Sequence, residues 1–342
     1  KMVTPEVLKD ESPLSRSLQT EHYNGAVAVV SPDKELAADA QGFSHIDMKV
    51  PFASHTMSGA GTVTQQFFGV LLMQFVEAGT VKLTDKLSKY IPEYQQAEQI
   101  TLAQLATMQS GIPDYLTLMA APFKANAPDT LPAERLALQI NHHTGQNMDL
   151  AKVLAVVDDL PLNFKPGSKT AYSSTNALLL GEVLDRVTNE RPLEAILKAQ
   201  IYDPLNLTNT KLGTAHAFAE SYHWIAGNPN VAGKGNENQA DRGLVTTVAD
   251  LEKFAQAVLT GQLLTAASWK TIFKAAEAGY GYGWYKLADG WLGNTGSVLG
   301  YTGLLGINQA QKKAVVGLTN VLKPQATMDQ FFKRIYTAAV KL

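Results

Sequence analysis

Thr62 carries a hydroxyl at the very start of an apolar helix, and Gln65 stands one turn further along it. Residues at i and i+3 share a helix face, so the two side chains are neighbours. The hydroxyl has two readings: a reactive group, or an N-cap, which threonine serves well. Gln65 donates and accepts hydrogen bonds but takes no proton at ordinary pH. Just upstream, His55 and Ser58 have the types of a nucleophile–base pair, although loop residues before a helix fit them better. His142 and His143 are adjacent, and adjacent residues on a helix point apart. No second ligand cluster with metal spacing accompanies them, so no metal is expected. Neither Gly59-Ala60-Gly61 nor Gly281-Tyr282-Gly283 continues into the Lys-Ser/Thr or the third spaced glycine of a phosphate loop. No cofactor is therefore expected. Asn206-Leu207-Thr208 fits the N-glycosylation pattern, which is short enough to occur by chance.

The elements that must position these residues follow from hydrophobic period and turn chemistry. Val63, Phe67, Val70, Leu71, Met73 and Phe75 predict a helix over 63–78, ended by Gly79. Before it, Gly25–Val30 reads as a buried strand, and Glu35–Ala40 completes a hairpin across Ser31-Pro32-Asp33-Lys34. Residues 1–20 are polar, with two prolines, and read as an arm or a first helix. From 83 to 205 the pattern is mostly helical: 101–109, 132–141, 150–158, 175–188 and 192–200. Asn, Gly and Ala dominate 226–243, which predicts a long surface loop. A helix over 247–259 follows. Tyr280–Tyr285, Gly293–Gly306 and Ala314–Asn320 read as antiparallel strands, and a last helix covers 327–340. Early strands, a helical middle and late strands predict an α+β fold, an antiparallel sheet flanked by helices with a mostly helical domain inserted. The boundaries fall at 1–82 plus 206–342 for the sheet domain and 83–205 for the helical one.

Composition narrows the partners. The chain has 342 residues, 45% of them hydrophobic, enough for a large core. Charged residues make up 18% and the net charge is −2, so no basic face for nucleic acid is implied. No apolar run is long enough to span a bilayer. With no cysteine, disulfides, thiolate metal sites and a cysteine nucleophile are excluded. The chain begins at Lys1, which fits a mature chain whose targeting segment has been removed and fits a cloning boundary equally well. An extracytoplasmic or secreted bacterial protein is the expectation.

Five segments in order resemble the penicillin-recognising serine hydrolases: class C β-lactamases, D-alanyl-D-alanine carboxypeptidases and related esterases. They are Phe75–Asp85, Ser110-Gly111-Ile112-Pro113-Asp114-Tyr115, Phe164–Gly167 followed by Tyr172-Ser173-Ser174-Thr175-Asn176, Pro204–Thr208, and Asn294-Thr295-Gly296-Ser297. The resemblance runs from about residue 25 to 340. It implies an active-site cleft between the two domains. It also implies a serine nucleophile at a helix N-terminus, a lysine one turn later, a tyrosine sharing the proton, and two backbone N–H groups as an oxyanion hole.

Counting back from Gly79 puts Thr62 in the serine position and Gln65 in the lysine position. Tyr172 matches the tyrosine. Ser174 stands where the family usually has asparagine, and Asn294 where it has histidine or lysine. Thr295 and Gly296 match, and the N–H of Ser297 with that of Thr62 would form the oxyanion hole. Losing a positioned base costs about 10²–10⁴-fold in rate. The expected protein is thus a catalytically impaired homologue that holds a small molecule or peptide of cell-wall type in the cleft. The alternatives are an active acyl hydrolase using Thr62 with Tyr172, and a structural or protein-binding module, which requires a filled cleft beside Thr62. The oligomeric state is not readable from the sequence.

Overall fold

The computed structural model describes residues 13–20, 22–188 and 191–342. Six strands form the main sheet: β1 (Gly25–Val30), β2 (Glu35–Gln41), β3 (Tyr285–Ala288), β4 (Trp291–Val298), β5 (Tyr301–Asn308) and β6 (Lys313–Thr319), in the order β3-β4-β5-β6-β1-β2. All the pairings are antiparallel, and β1 meets β6 with Gly25 opposite Thr319. Every residue of β1 is buried, which requires cover on both faces of the sheet.

Seven of the helices matter for the site and its support: α1 (Pro13–Thr20), α2 (Thr64–Glu77), α3 (Tyr115–Asn126), α4 (Ser174–Thr188), α5 (Val248–Leu259), α6 (Ala266–Ala278) and α7 (Gln325–Ala339). Side chains alternate across each strand. Val27, Val29, Leu304 and Val315 pack against Leu14 and Leu18 of α1 and Phe331 and Ile335 of α7. Ala28, Val30, Leu305 and Val316 lie in the opposite core with Phe67 and Leu71 of α2 and Leu251 and Phe254 of α5. Phe67 stacks on Phe254 with ring centres 4.1 Å apart. Thr64 to Met73 are all buried, so α2 is a central helix rather than a surface one.

The α+β class with an antiparallel sheet flanked by helices is the observed one. Between residues 83 and 205 the described chain is helix and turn, with only an isolated bridge from Lys86 to Thr101. Of the arm expected over 1–20, residues 1–12 lie outside the described residues and the rest is α1.

Four expectations are corrected. The sequence patterns include neither α3 nor α6. Pro122 sits inside α3 and reads as a break, yet Asp114 caps the helix firmly, its Oδ1 accepting the Leu116 N–H at 3.0 Å. The helix expected over 192–200 continues, through a π turn at Lys198–Tyr202, to Leu205. Tyr280–Tyr285 is not a strand: Gly281 and Trp284 close a turn, and β3 starts only at Tyr285. The segment 226–243 is a surface loop only in part. Its first residues form a hairpin strand, Asn228–Val231, but Glu237, Gln239, Ala240, Asp241 and Arg242 are buried.

Candidate active site

The turn before α2 touches β4, and two glycines allow it. Gly61 has φ +54°, and a Cβ there would lie 2.0 Å from the Gly296 carbonyl oxygen. A Cβ on Gly296 would lie 2.0 Å from Thr62 Oγ1. Thr62 does not cap the helix. It lies inside a 3₁₀ turn, Gly61–Val63, and no side chain caps α2. Thr64 bonds back to the Gly61 carbonyl instead. The Thr62 hydroxyl crosses to β4 and donates to Asn294 Oδ1 at 2.7 Å. The Asn294 amide is fixed from behind, its Nδ2 donating to the Gly283 carbonyl at 2.9 Å.

Gln65 is buried and fully engaged. Its Nε2 donates to Tyr172 Oη at 2.8 Å and to the Asp241 carbonyl at 3.0 Å. Its Oε1 accepts from the Tyr280 hydroxyl. Tyr172 stands at the entry to α4, which is pinned to the Ser110–Tyr115 turn. Ser110 donates to Asn176 Oδ1 at 2.5 Å, and Thr175 to the Pro113 carbonyl at 2.7 Å. About half of the Tyr172 side is open, at 49% exposure, but its hydroxyl is held between Gln65 and Ser174, whose Oγ approaches at 3.4 Å. Burial of that hydroxyl pushes the Tyr172 phenol well above its ordinary value; Ser174 and Gln65 oppose the shift, and Asp241 and Asp114 add to it.

Thr62, Tyr172, Tyr280, Tyr285, Asn294 and Thr295 surround an open cavity of about 440 Å³, within the usual range for small-molecule sites. Met108, Thr170 and the backbone of Gly279 and Gly296 complete it, and no charged side chain lines it. Of the residues singled out from sequence, Gln65 and Ser174 lie one layer behind the wall, and Ser297 is exposed further along β4 with its Oγ bonded to Thr302. Tyr285 Oη both donates to the Thr295 carbonyl, at 2.9 Å, and accepts from its N–H, at 3.1 Å. Those groups therefore face away from β5, and strand alternation turns the Ser297 N–H and C=O to the same open edge. Ser58 is buried with no partner for its hydroxyl, and His55 is exposed, so they form no pair. His142 and His143 part, one toward the Ala232 carbonyl and one onto Phe123.

Behind the cavity lies charge. Asp241 is fully buried; Tyr115 Oη donates to its Oδ2 at 2.6 Å, and Arg242 Nε lies 3.7 Å from the same oxygen. Burial pushes the Asp241 carboxyl up to about 6 against the pull of Arg242. Glu237, also buried, is raised for the same reason, while Thr214 donates to its Oε2 at 2.7 Å. Sequence reasoning missed this group and missed Tyr280 and Tyr285. The aromatic run 280–285 was the available signal for the two tyrosines.

A hydroxyl at the mouth of a buried helix, a tyrosine facing it and a free strand edge alongside define a scaffold of the serine-hydrolase type. The chain matches the Beta-lactamase family model over residues 14–337 and belongs to that family. It is similar to protein flp of Staphylococcus aureus (strain COL), 24% identical over 329 residues that cover 90% of this chain. The chain spans 62% of the length of that relative. In fold it is similar to a penicillin binding protein from Bacillus halodurans, with TM-score 0.78, 18% identity, and 95% and 99% of the two chains covered. It is also similar to the D-amino acid amidase from Ochrobactrum anthropi SV3 in complex with L-phenylalanine amide, with TM-score 0.74, 19% identity, and 96% and 99% covered. Among the described residues no helix is long and apolar enough to cross a membrane.

Proposed function

We propose that this chain is a β-lactamase-family protein that binds a peptide or cell-wall-like ligand in its cleft without hydrolysing it. The observation that carries the reading is the fate of the Thr62 proton. It is given to Asn294 Oδ1, an amide oxygen that accepts a hydrogen bond but does not take the proton away. The group one turn along is Gln65, neutral and already bonded to Tyr172, Tyr280 and the Asp241 carbonyl. Tyr172, the remaining candidate base, has no cation beside it to favour its phenolate, and burial opposes ionisation. A nucleophile without an activating base is weak. The cleft nevertheless keeps room for a ligand, which argues against a purely structural role. A location outside the cytoplasm suits a ligand of that kind.

The test is covalent trapping. Intact-mass measurement after incubation with benzylpenicillin and with a fluorophosphonate should show no adduct. Stoichiometric acylation of Thr62 would show that the chain is an active acyl hydrolase instead.

A further inference from the structure

We infer that the part of the ligand entering the cleft is uncharged, ending in an amide or an ester rather than a free carboxylate. The inference rests on the reading of this cavity as the ligand site. The polar side chains that line it are hydroxyls and one amide: Thr62, Tyr172, Asn294 and Thr295, with Tyr280 and Tyr285. None is a cation. Asn294 turns its oxygen to Thr62 and its nitrogen to Gly283, so it is committed to the protein. Tyr172 Oη receives bonds from Gln65 and Ser174, which leaves its own proton for the open side. The cleft therefore offers a neutral hydroxyl donor to an uncharged acceptor on the ligand.

The charges behind the wall point the same way. Asp241 and Asp114 both act on Tyr172, and both carry the sign of a ligand carboxylate. The Arg242 guanidinium is buried with Asp241 and donates to the Thr144 carbonyl at 2.7 Å, away from the cavity. A carboxylate entering this space would be desolvated with no cation to meet it, which is strongly unfavourable. The walls suit an apolar group beside the neutral end. The Tyr172 and Tyr280 rings are 6.2 Å apart, and Tyr280 stacks toward Tyr285 at 6.0 Å.

Isothermal titration with N-acetyl-phenylalaninamide and N-acetyl-phenylalanine, each in both hands, tests the inference. At pH 7.5 one hand of the amide should bind about tenfold or more tighter than the matching acid, a difference of ~1.4 kcal/mol or more. Lowering the pH toward the acid's own pKa should narrow the gap, because the acid then enters uncharged. Asn294→Lys should reverse the preference; the pH titration on the unaltered chain gives an answer even if that variant does not fold. Equal or tighter binding of the acid overturns the inference, as does a lack of binding by either amide at millimolar concentration. Intact mass taken in the same experiment separates the two readings. An adduct on Thr62 removes the non-hydrolysing role, while the amide-to-acid ratio still reports on the charge of the ligand.

Discussion

The cleft and the wall behind it use polarity in opposite ways. The cleft is open to water, where charge is cheap, yet its lining is neutral. The wall behind it buries side chains away from water, where charge is expensive, yet Glu237, Asp241 and Arg242 are among them. Gln65 is the partition: its amide bonds the cleft-facing Tyr172 on one side and the backbone of Asp241 on the other. A neutral side chain there leaves the buried Asp241 carboxylate to Arg242 rather than to a cation at the cleft. A cation there would couple the two regions. Neutrality of the cleft is thus a property of two layers.

The strongest way to break this comparison is to put charge back into the partition. Thr62→Ser with Gln65→Lys is expected to raise p-nitrophenyl ester hydrolysis about 10²–10⁴-fold over the unaltered chain. An unchanged rate would mean that Thr62 and Gln65 do not limit hydrolysis. The next largest effect comes from emptying the wall. Arg242→Met leaves Asp241 and Glu237 buried without their cation, and should cost about 3–5 kcal/mol in urea denaturation. A loss below ~1 kcal/mol would mean that the guanidinium does not balance the carboxylates.

A pH experiment sharpens the same point. Burial holds the Asp241 carboxyl at about 6 in the folded chain, above the ~3.9 of an unfolded aspartate. The folded state then binds its proton more tightly. The contribution of this group is most favourable below ~3.9 and is lost as pH rises to about 6. Asp241→Asn should remove that fall in stability across the window while Glu237 and other groups keep theirs. Equal slopes in the two proteins would count against a buried titrating Asp241. The smallest effect belongs to the cleft edge. Tyr285→Phe gives up both bonds to Thr295 and should cost about 1 kcal/mol, with faster hydrogen exchange at the Thr295 amide as the local readout.

What could be read from the sequence depended on whether local pattern and tertiary role agree. The β1–β2 hairpin, α2, α4, α5 and α7 have strong periods and distinct ends, and they stand within a few residues of the expected bounds. The family resemblance, with the count back from Gly79, implies that Thr62, Gln65, Tyr172 and Asn294 share one site, and in the fold Thr62 bonds Asn294 and Gln65 bonds Tyr172. The cap assignment failed because Thr62 lies in a 3₁₀ turn whose direction is set by Gly61 meeting Gly296, a contact between residues far apart in sequence. Helix α3 has Pro122 in its interior, a local penalty outweighed by packing around Tyr115 and Ala120. In α6, Trp269, Ile272, Phe273 and Ala276 have helical spacing, so a helix signal is present in the sequence itself. The 226–243 stretch misled most. Its Asn, Gly and Ala composition reads as a solvated loop, and only the neighbouring Tyr115, Thr144 and Thr214 make the burial of Asp241, Arg242 and Glu237 tolerable.

The order of the sheet bears on how the protein is made. β1 is apolar, six residues long, and sits between β2 and β6, so its partner on one side is Lys313–Thr319. At synthesis rates of about 5–20 residues per second, β1 emerges on the order of 15–60 s before that partner exists. During that interval one edge of the hairpin has unpaired N–H and C=O groups beside a Val-rich face, a template for pairing with another nascent chain. Yield on expression should therefore respond to holdase chaperones and to lower temperature more than the stability of the finished fold would suggest.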